Sequence, residues 1–472
     1  MGSDAASAAA VAGAAGILSA ETAMTRRDAR GNPVSTESAA ALAAGERALW
    51  RMMSFYGTPI ADLDAAIAAD PAWPLPRLMK AGFLLSLTEP SLVGDADALL
   101  DDAAARIDRG TEREQDHLAA LRRLSAGDWL GACERWEALL RRHPRDALAV
   151  QWLHLFDFYR GDSLQLLGHV DAVLPAWPDD DPLLPYVLAL HAFGLEESGR
   201  YGEAEATGRR ALAGAARVPW AIHAVAHVME MQGRYKEGAR WLGEWRRDWG
   251  AREGDGSDGE ANGFVGHLGW HEALFALEGL DTAEALRVFD DYLAASRIEI
   301  TLQRVDAAAL LWRLRLLGVD VGDRWQQLVA AWPLAAATAG RSVFNDAHAT
   351  MALIGAGAMA QAQEWVAVCI DQAQSRAGWN RDVSREIGTP LLKGLLAFAA
   401  GRHADAATTI APLRDRLARI GGSHAQRDVV DQTLLAAAAN GADRSAGRAL
   451  LAARMRARPA TPLSEWWSRA LA

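Results

Sequence analysis

The feature that most constrains the fold of this 472-residue chain is a short glycine-containing turn that recurs between apolar segments of helical period. Hardly any segment shows the alternation of polar and β-branched residues that a half-buried strand needs, so the segments are predicted to be helices. The turns are Gly127-Asp128-Trp129, Gly161-Asp162, Gly199-Arg200-Tyr201, Gly233-Arg234-Tyr235, Gly279-Leu280-Asp281 and Gly401-Arg402-His403. This pattern predicts a series of helix–turn–helix units.

The spacing of the turns indicates which kind of helical repeat the chain forms. The first four turns begin at residues 127, 161, 199 and 233, at intervals of 34, 38 and 34 residues. A period of about 34 residues is typical of tetratricopeptide repeats. Such units bury their apolar faces against each other and stack into a superhelix. We therefore predict an all-α, tetratricopeptide-like helical-repeat solenoid, strongly curved or closed around a central pocket.

The same pattern predicts how the chain is organised. The expected regions are a disordered Ala/Gly-rich tail over 1–27, an N-terminal helical region over 28–110, tetratricopeptide-like repeats over 111–290, and C-terminal helical repeats over 291–472 that close the superhelix. Thr111 with Glu114, and Ser423 with Gln426, have the spacing of capping boxes at helix starts. Small residues follow several turns, where the second helix must approach the first closely; they include Ala132, Ala204 and Ala239.

Composition excludes several classes of function. The chain has 49 basic and 60 acidic residues, a net charge of −11, and no basic cluster, so nucleic acid is not an expected partner. No apolar stretch reaches transmembrane length, so no membrane association is expected. The two cysteines, far apart in sequence, suggest neither disulfides nor a thiolate metal site, and the expected location is the cytoplasm. No phosphate-binding glycine loop or dinucleotide motif is present, so no nucleotide cofactor is expected.

Two histidine pairs are the sequence feature that points beyond architecture. His223 and His227, like His267 and His271, have i, i+4 spacing, which places both imidazoles of a pair on one side of a helix. Glu230 extends the first stripe, since it lies seven residues after His223. Both segments precede a predicted turn, so they are first helices of adjacent repeats and their stripes should meet. Such a cluster could hold a divalent metal, transfer a proton or orient an anion; alternatively, each imidazole is simply hydrogen-bonded in the core.

Other polar residues occur on otherwise apolar helices. Asp306 and Arg313 share one helix face, as a buried ion pair or as an anion-binding arginine with its partner. Asn345 and Asp346 lie at a predicted helix start, where either could be an N-cap, and His348 could face the same cavity. His154 lies in an aromatic stretch where a core role is the simpler interpretation.

A glycine-rich and acidic stretch over 250–263 leads directly into the helix that carries His267 and His271. It is predicted to be a loop, since it offers little that could pack into a core. A loop beside a polar cluster could act as a lid, although a long connection between repeats is the simpler interpretation.

Seven motifs, in order along the chain, resemble the tetratricopeptide repeat protein 38 family. They are Thr111-Glu-Arg-Glu-Gln-Asp-His117, His143-Pro-Arg-Asp-Ala147, Trp220-Ala-Ile-His-Ala-Val-Ala-His-Val-Met-Glu-Met231, Asp323-Arg-Trp-Gln326, Phe344-Asn-Asp-Ala-His348, Arg385-Glu-Ile-Gly-Thr-Pro390 and Gly421-Gly-Ser-His-Ala-Gln-Arg-Asp428. The resemblance runs from about residue 28 to 465 and implies a soluble, cytoplasmic α-helical repeat protein. The resemblance does not indicate a reaction. The positions that match the family pattern are His154, His223, His227, Glu230, His267, His271, Asn345, Asp346, His348, Gln426, Arg427 and Asp428.

These observations predict a polar pocket inside the solenoid that recognises a small polar or anionic molecule. The candidate catalytic residues are His223, His227, His267, His271, Glu230, His348 and Asp346, with a metal, if present, on the four paired histidines. The candidate substrate-binding residues are Arg427, Asp428, Arg313, His154 and Asn345. Whether the chain is an enzyme stays open. The rival interpretation is an interaction scaffold that binds a peptide along its concave face.

Overall fold

The structure is a computed structural model that describes residues 26–250, 263–375, 379–441 and 443–472. The predicted tail therefore lies almost wholly outside the described residues, and so does the predicted loop between residues 250 and 263. Within the described residues the fold is all-α. The strand-like pairing that the described residues contain is an isolated antiparallel bridge between Arg27 and Pro33.

Most helices within the described ranges are joined by short connections. They are α1 Ala39–Ser54, α2 Ile60–Ala69, α3 Leu75–Ser86, α4 Val93–Ala104, α5 Glu112–Ser125, α6 Trp129–Leu140, α7 Ala147–Arg160, α8 Ser163–Val173, α9 Leu184–Glu197, α10 Tyr201–Gly214, α11 Pro219–Met231, α12 Tyr235–Glu244, α13 Arg246–Trp249, α14 Val265–Glu278, α15 Thr282–Tyr292, α16 Thr301–Leu316, α17 Arg324–Ala330, α18 Val343–Gly355, α19 Met359–Ser375, α20 Trp379–Val383, α21 Thr389–Ala399, α22 His403–Ile410, α23 His424–Ala439, α24 Arg444–Ala457 and α25 Pro462–Ala470. A π-helical turn, Ser384–Gly388, joins α20 to α21.

The predicted turns join the two helices of each repeat. Gly161, for example, has φ of 67° between α7 and α8, a left-handed conformation that glycine adopts without strain. The next residue, Asp162, then caps α8 by accepting from the backbone N–H of Gln165 at 3.2 Å. The capping boxes at Thr111 and Ser423 are confirmed. This combination of left-handed glycine and N-cap explains why consecutive helices pack antiparallel.

One predicted turn has an unusual backbone conformation, and one predicted close approach is wrong. In the turn Gly279-Leu280-Asp281 the left-handed residue is Leu280, with φ of 57°, and not the glycine. Ala239 is exposed and does not mark a close helix approach; the preceding residue does. A Cβ on Gly238 would lie 2.2 Å from the Phe275 ring, so α12 packs against α14 through this glycine.

The repeats curve into a closed superhelix, since residues distant in sequence meet across its inner side. Near the N-terminal end, the Glu89 carboxylate accepts hydrogen bonds from Thr301 Oγ1 at 2.9 Å and from the Arg304 guanidinium at 3.2 Å. Farther along, Trp312 Nε1 on α16 donates to Thr433 Oγ1 on α23 at 3.0 Å. The C-terminal helices therefore pack against the interior of the solenoid.

The segment before α23 makes the tightest of these closing contacts. A Cβ on Gly161 would lie 1.6 Å from the carbonyl oxygen of Ala418, and a Cβ on Gly421 would lie 2.4 Å from that of Tyr159. Backbone packs directly on backbone here, in a space that only glycine permits. The fold is thus a tetratricopeptide-like solenoid closed around a central cavity. None of the helices within the described ranges is long and apolar enough to cross a bilayer.

The closing contact predicts different effects for two glycines with similar backbone conformations. Gly127→Ala adds a methyl group where no atom lies within 4 Å. Only the strain of a left-handed alanine should then lower the free energy of unfolding, by about 1 kcal/mol. Gly161→Ala should lose at least about 3 kcal/mol, because the methyl group also displaces the Ala418 segment. Urea unfolding followed by circular dichroism measures both. Equal losses would show that the closing contact does not form.

Candidate functional site

The four paired histidines lie together at the meeting of α11 and α14. His223 Nε2 is 3.1 Å from His267 Nε2, and the ring centroids of His227 and His271 are 4.4 Å apart. One ring nitrogen from each of the four lies within 4.8 Å of the other three. The i, i+4 spacing produces this arrangement, since each helix presents two stacked imidazoles to its neighbour.

Burial of the rings is nearly complete. His227 and His271 have no exposed surface and His223 is 2% exposed, whereas His267 is partly exposed. Aromatic side chains from three helices enclose the cluster; Phe193 and Trp220 have ring centroids 5.2 Å from that of His223. An imidazole sealed in such an environment strongly disfavours its charged form.

The pKa values reflect this environment. Burial, reinforced by the neighbouring imidazoles, lowers the pKa of His223 and His227 well below 6.5. Burial does the same to the pKa of His271, with the His267 ring and the Arg313 guanidinium adding to the effect. These three rings are therefore neutral near pH 7, and each keeps a nitrogen lone pair for a proton or a ligand.

Carboxylates approach the outer nitrogens of three rings. His267 Nδ1 is 2.7 Å from an Asp306 oxygen on α16, and His271 Nδ1 is 3.0 Å from a Glu230 oxygen on α11. His227 Nδ1 is 3.6 Å from a Glu196 oxygen on α9, too long for a hydrogen bond. A carboxylate on Nδ1 fixes the tautomer with its proton there and leaves the Nε2 lone pair directed inward.

Glu196 is a buried acid beside the cluster. Neither of its oxygens has a hydrogen-bond partner, and burial together with Glu197 and Glu230 raises the pKa of its carboxyl well above 4.5. The adjacent Glu197 behaves differently: burial acts to raise its pKa, but His424 and Arg427 outweigh it and lower the value to about 2. The pKa values of these neighbouring acids thus move in opposite directions, because Glu197 contacts His424 and Arg427 whereas the oxygens of Glu196 have no hydrogen-bond partner.

A cavity of about 350 Å³ opens beside the histidines. His223, His227 and His267 line it, while His271 lies behind them. The Asp306 carboxylate continues the polar patch, and Gln426 Nε2 donates to it at 3.3 Å. Ten aromatic side chains contribute to the rest of the wall, together with aliphatic and polar residues; the rings are Phe55, Phe83, Trp129, Trp152, Phe158, Tyr159, Phe193, Trp220, Phe264 and Phe344.

The cavity reaches solvent at one rim. Thr58, Gly263 and Glu299, which lie in its wall, are exposed. Gly263 is held there by a hydrogen bond from its N–H to the Phe55 carbonyl, at 2.9 Å. The predicted loop ends at this glycine, and residues 251–262 lie outside the described residues.

The arginines and the aspartate predicted to bind substrate do not line this cavity. Arg313 is buried above the Trp270 ring and donates to the backbone carbonyls of Ala309 and Ala425, so it does not pair with Asp306 as expected. Arg427 is 3.3 Å from a Glu197 oxygen and also donates to the Gly422 carbonyl.

Asp428 faces away from the cavity. Its carboxylate pairs with Arg454 on α24 and accepts from Gln432 at 2.7 Å. Arg313, Arg427 and Asp428, all predicted to bind substrate, thus contact other protein groups instead.

The remaining predicted residues fall in three places. Asn345 lines the cavity but does not cap its helix; Ser342 does, accepting from the Asn345 N–H at 3.4 Å. Asp346 instead accepts from the N–H of Gly340 and faces a second cavity of about 380 Å³. His348 and His154 are core residues bonded to the carbonyls of Phe344 and Leu190, respectively.

Two site residues were missed or misjudged from sequence. Asp306 was expected beside Arg313, yet its closest partner is a histidine on another helix. Glu196 carried a recognisable signal, because two adjacent glutamates end the otherwise apolar helix α9. Acidic residues on a fully buried helix need partners or a raised pKa, so they mark candidate sites.

Comparison with known proteins leaves the family of the chain unassigned. No family model matches it. Among solved structures, the crystal structure of the yeast Tom70 is similar at a TM-score of 0.33 and 11% sequence identity, over 92% of this chain and 86% of that chain. The description of the fold therefore rests on the helix pairs themselves.

The buried neutral histidines predict that acid destabilises the protein well above pH 4. Burial lowers the pKa of His154 from 6.5 to about 3, so the unfolded chain binds this proton more readily than the folded one. Stability should fall as pH decreases through 6.5, by about 2 kcal/mol at pH 5 for this residue alone. His154→Gln, which keeps a donor for Leu190, should lose that part of the pH dependence in urea unfolding between pH 7 and 5. If the free energy of unfolding of His154→Gln changes with pH as steeply as that of the wild type, the prediction is wrong.

Proposed function

We propose that the chain binds a small molecule in the central cavity and presents the histidine cluster to it. The observation that carries the proposal is the polar patch of His223, His267 and Asp306 in a wall whose accessible surface is otherwise mostly apolar. Small-molecule sites are typically enclosed, largely apolar and supplied with a few convergent polar groups. The cavity volume, about 350 Å³, is at the lower end of such sites.

The wall favours a ligand with an aromatic or aliphatic body and one polar, hydrogen-bonding head. An anionic head, which the sequence suggested, has less support. Arg313 and Arg427 are engaged elsewhere, and Arg51 in the wall pairs with Asp62 at 2.7 Å. The Asp306 carboxylate adds negative charge beside the polar patch.

If the cavity supports a reaction, its histidines act as bases or ligands rather than acids. A ring that is neutral near pH 7 accepts a proton but has none to donate from a charged form. His223 has the clearest position for this role, because it lies in the cavity wall and its Nε2 meets that of His267. Whether turnover occurs is decided by experiment.

A peptide scaffold is the alternative function, and one observation bears against it. The concave face is where such repeats bind peptides. Here the segment Ile420–Ser423 and helix α23 lie against that face, and Glu197 accepts from the His424 N–H at 2.8 Å. An extended peptide would have to displace this segment.

We also propose, from the ordered motifs between residues 111 and 428, that the chain belongs to the tetratricopeptide repeat protein 38 family and acts in the cytoplasm. The two cysteines, Cys133 and Cys369, are buried free thiols, which is consistent with a reducing cytoplasm.

A neutral fluorescent probe tests the cavity. N-phenyl-1-naphthylamine fluoresces more strongly in apolar surroundings, and we expect it to bind the wild-type protein with energy transfer from tryptophan. Leu302→Trp adds a larger ring to the cavity wall and should weaken this binding at least about tenfold, which is about 1.4 kcal/mol.

The matched control is Leu164→Trp, which adds the same ring on a side chain that is 81% exposed and does not line the cavity. It should leave the affinity unchanged. Urea unfolding must show both variants folded. Equal affinity in the two variants would refute binding in the central cavity.

A further inference from the structure

We propose that the four imidazoles form a binding site for a first-row divalent metal ion of the zinc class, held by Nε2 of His223, His227, His267 and His271. The inference rests on the proposed function and deepens it, because three of the four ligands line the small-molecule cavity. An ion at their centre would be reached from that cavity.

The separations of the ring nitrogens suit a single ion. Two nitrogens bound about 2.0–2.1 Å from one tetrahedral zinc ion lie about 3.3 Å apart. The Nε2 atoms of His223 and His267 are 3.1 Å apart, and four ring nitrogens lie within 4.8 Å of one another. A contraction of up to about 1.5 Å in the longer separations would complete the coordination, which rotation of the rings can supply.

Four buried ring nitrogens of the cluster lack a hydrogen-bond partner. They are Nδ1 of His223, both nitrogens of His227 and Nε2 of His271, and the ion would bind the two Nε2 atoms. An unpaired buried polar atom is unfavourable by about 1–3 kcal/mol, so such atoms indicate a missing partner. Neutral imidazole lone pairs turned toward a common centre are satisfied by a cation.

The carboxylates around the cluster have the arrangement that supports histidine ligands. Histidines that bind metal usually donate their other N–H to a carboxylate or carbonyl, which orients the ring and strengthens the ligand. Asp306 does this for His267 and Glu230 for His271. These acids come from two different helices, so the packing of α11, α14 and α16 provides both the ligands and their positioning residues.

Ligand chemistry narrows the choice of ion. Imidazole nitrogens suit zinc, iron, nickel and copper, whereas calcium and magnesium prefer oxygen ligands. Four imidazoles fill the tetrahedral coordination of zinc, so a molecule in the cavity would reach the ion only as a fifth ligand, on the side that faces the cavity. An ion that accepted this fifth ligand would polarise the oxygen or nitrogen that binds it.

The competing explanation is a simple hydrogen bond between His223 and His267, with the other two rings packed in the core. Cobalt(II) separates the two explanations, because it occupies zinc sites and shifts the proton signals of coordinated imidazoles. We expect chelator-treated protein to take up a single equivalent of Co²⁺ in calorimetry, with visible d–d absorption and paramagnetically shifted imidazole N–H signals.

Two variants and one control locate the ion. His267→Ala removes the most exposed of the ligands and should abolish the shifted signals, and Asp306→Asn should weaken Co²⁺ binding 10- to 100-fold, as expected for a positioning residue. Asp290→Asn, which removes a carboxylate paired with Arg324, should change nothing. Urea midpoints in chelator verify folding, and Asp306→Asn keeps the test valid if His267→Ala unfolds.

The results also separate this inference from the cavity proposal. No stoichiometric Co²⁺ uptake, or uptake unaltered by both variants, overturns the metal site; if the naphthylamine probe still binds in chelator, the cavity proposal stands. Co²⁺ uptake that depends on His267 and Asp306, without probe binding, supports the metal site and removes support for the small-molecule cavity.

Discussion

The packing of the segment before α23 against the turn after α7 is the contact on which the rest of the structure depends. A left-handed glycine at 161 lets the Ala418 carbonyl approach to a distance that a methyl group would prevent. The same approach places Gln426 beside Asp306, whose other oxygen contacts His267 on the neighbouring helix α14. An open solenoid would leave the histidine stripes on a solvated groove. Closure converts that groove into an enclosed cavity with buried polar groups.

Enclosure determines the chemistry of those groups. Imidazoles on an exposed groove would titrate near pH 6.5, but burial keeps three of them neutral at neutral pH. The same buried setting also separates the pKa values of two adjacent acids: contacts with His424 and Arg427 lower the pKa of Glu197, whereas Glu196 has no hydrogen-bond partner and its pKa rises. The positioned carboxylates Asp306 and Glu230 then decide which ring nitrogen faces inward. The fold therefore presents the lone pairs of neutral imidazole nitrogens, and not charged imidazolium groups, to a molecule or ion in the cavity.

Local rules account for much of what the sequence predicted. Helix starts at Thr111 and Ser423 follow from interactions within one turn, and the i, i+4 histidine pairs follow from helix geometry. The partners of Asp306 could not be predicted in this way, because they depend on how α16 packs against α14 and α23. Arg313 and Arg427 illustrate the same limit. Their side-chain type suggested anion binding, but both guanidinium groups contact residues that are distant in sequence, Ala425 and Glu197, respectively.

The convergence of the four imidazoles inside the closed solenoid is the central claim, and crystallography with anomalous scattering at the zinc edge tests it most directly. Crystals grown with Zn²⁺ should show one strong anomalous peak about 2.0–2.1 Å from the Nε2 atoms of His223, His227, His267 and His271, with the Ala418 segment seated on Gly161. Rings directed away from a common centre, or zinc bound only to surface residues, would contradict the account.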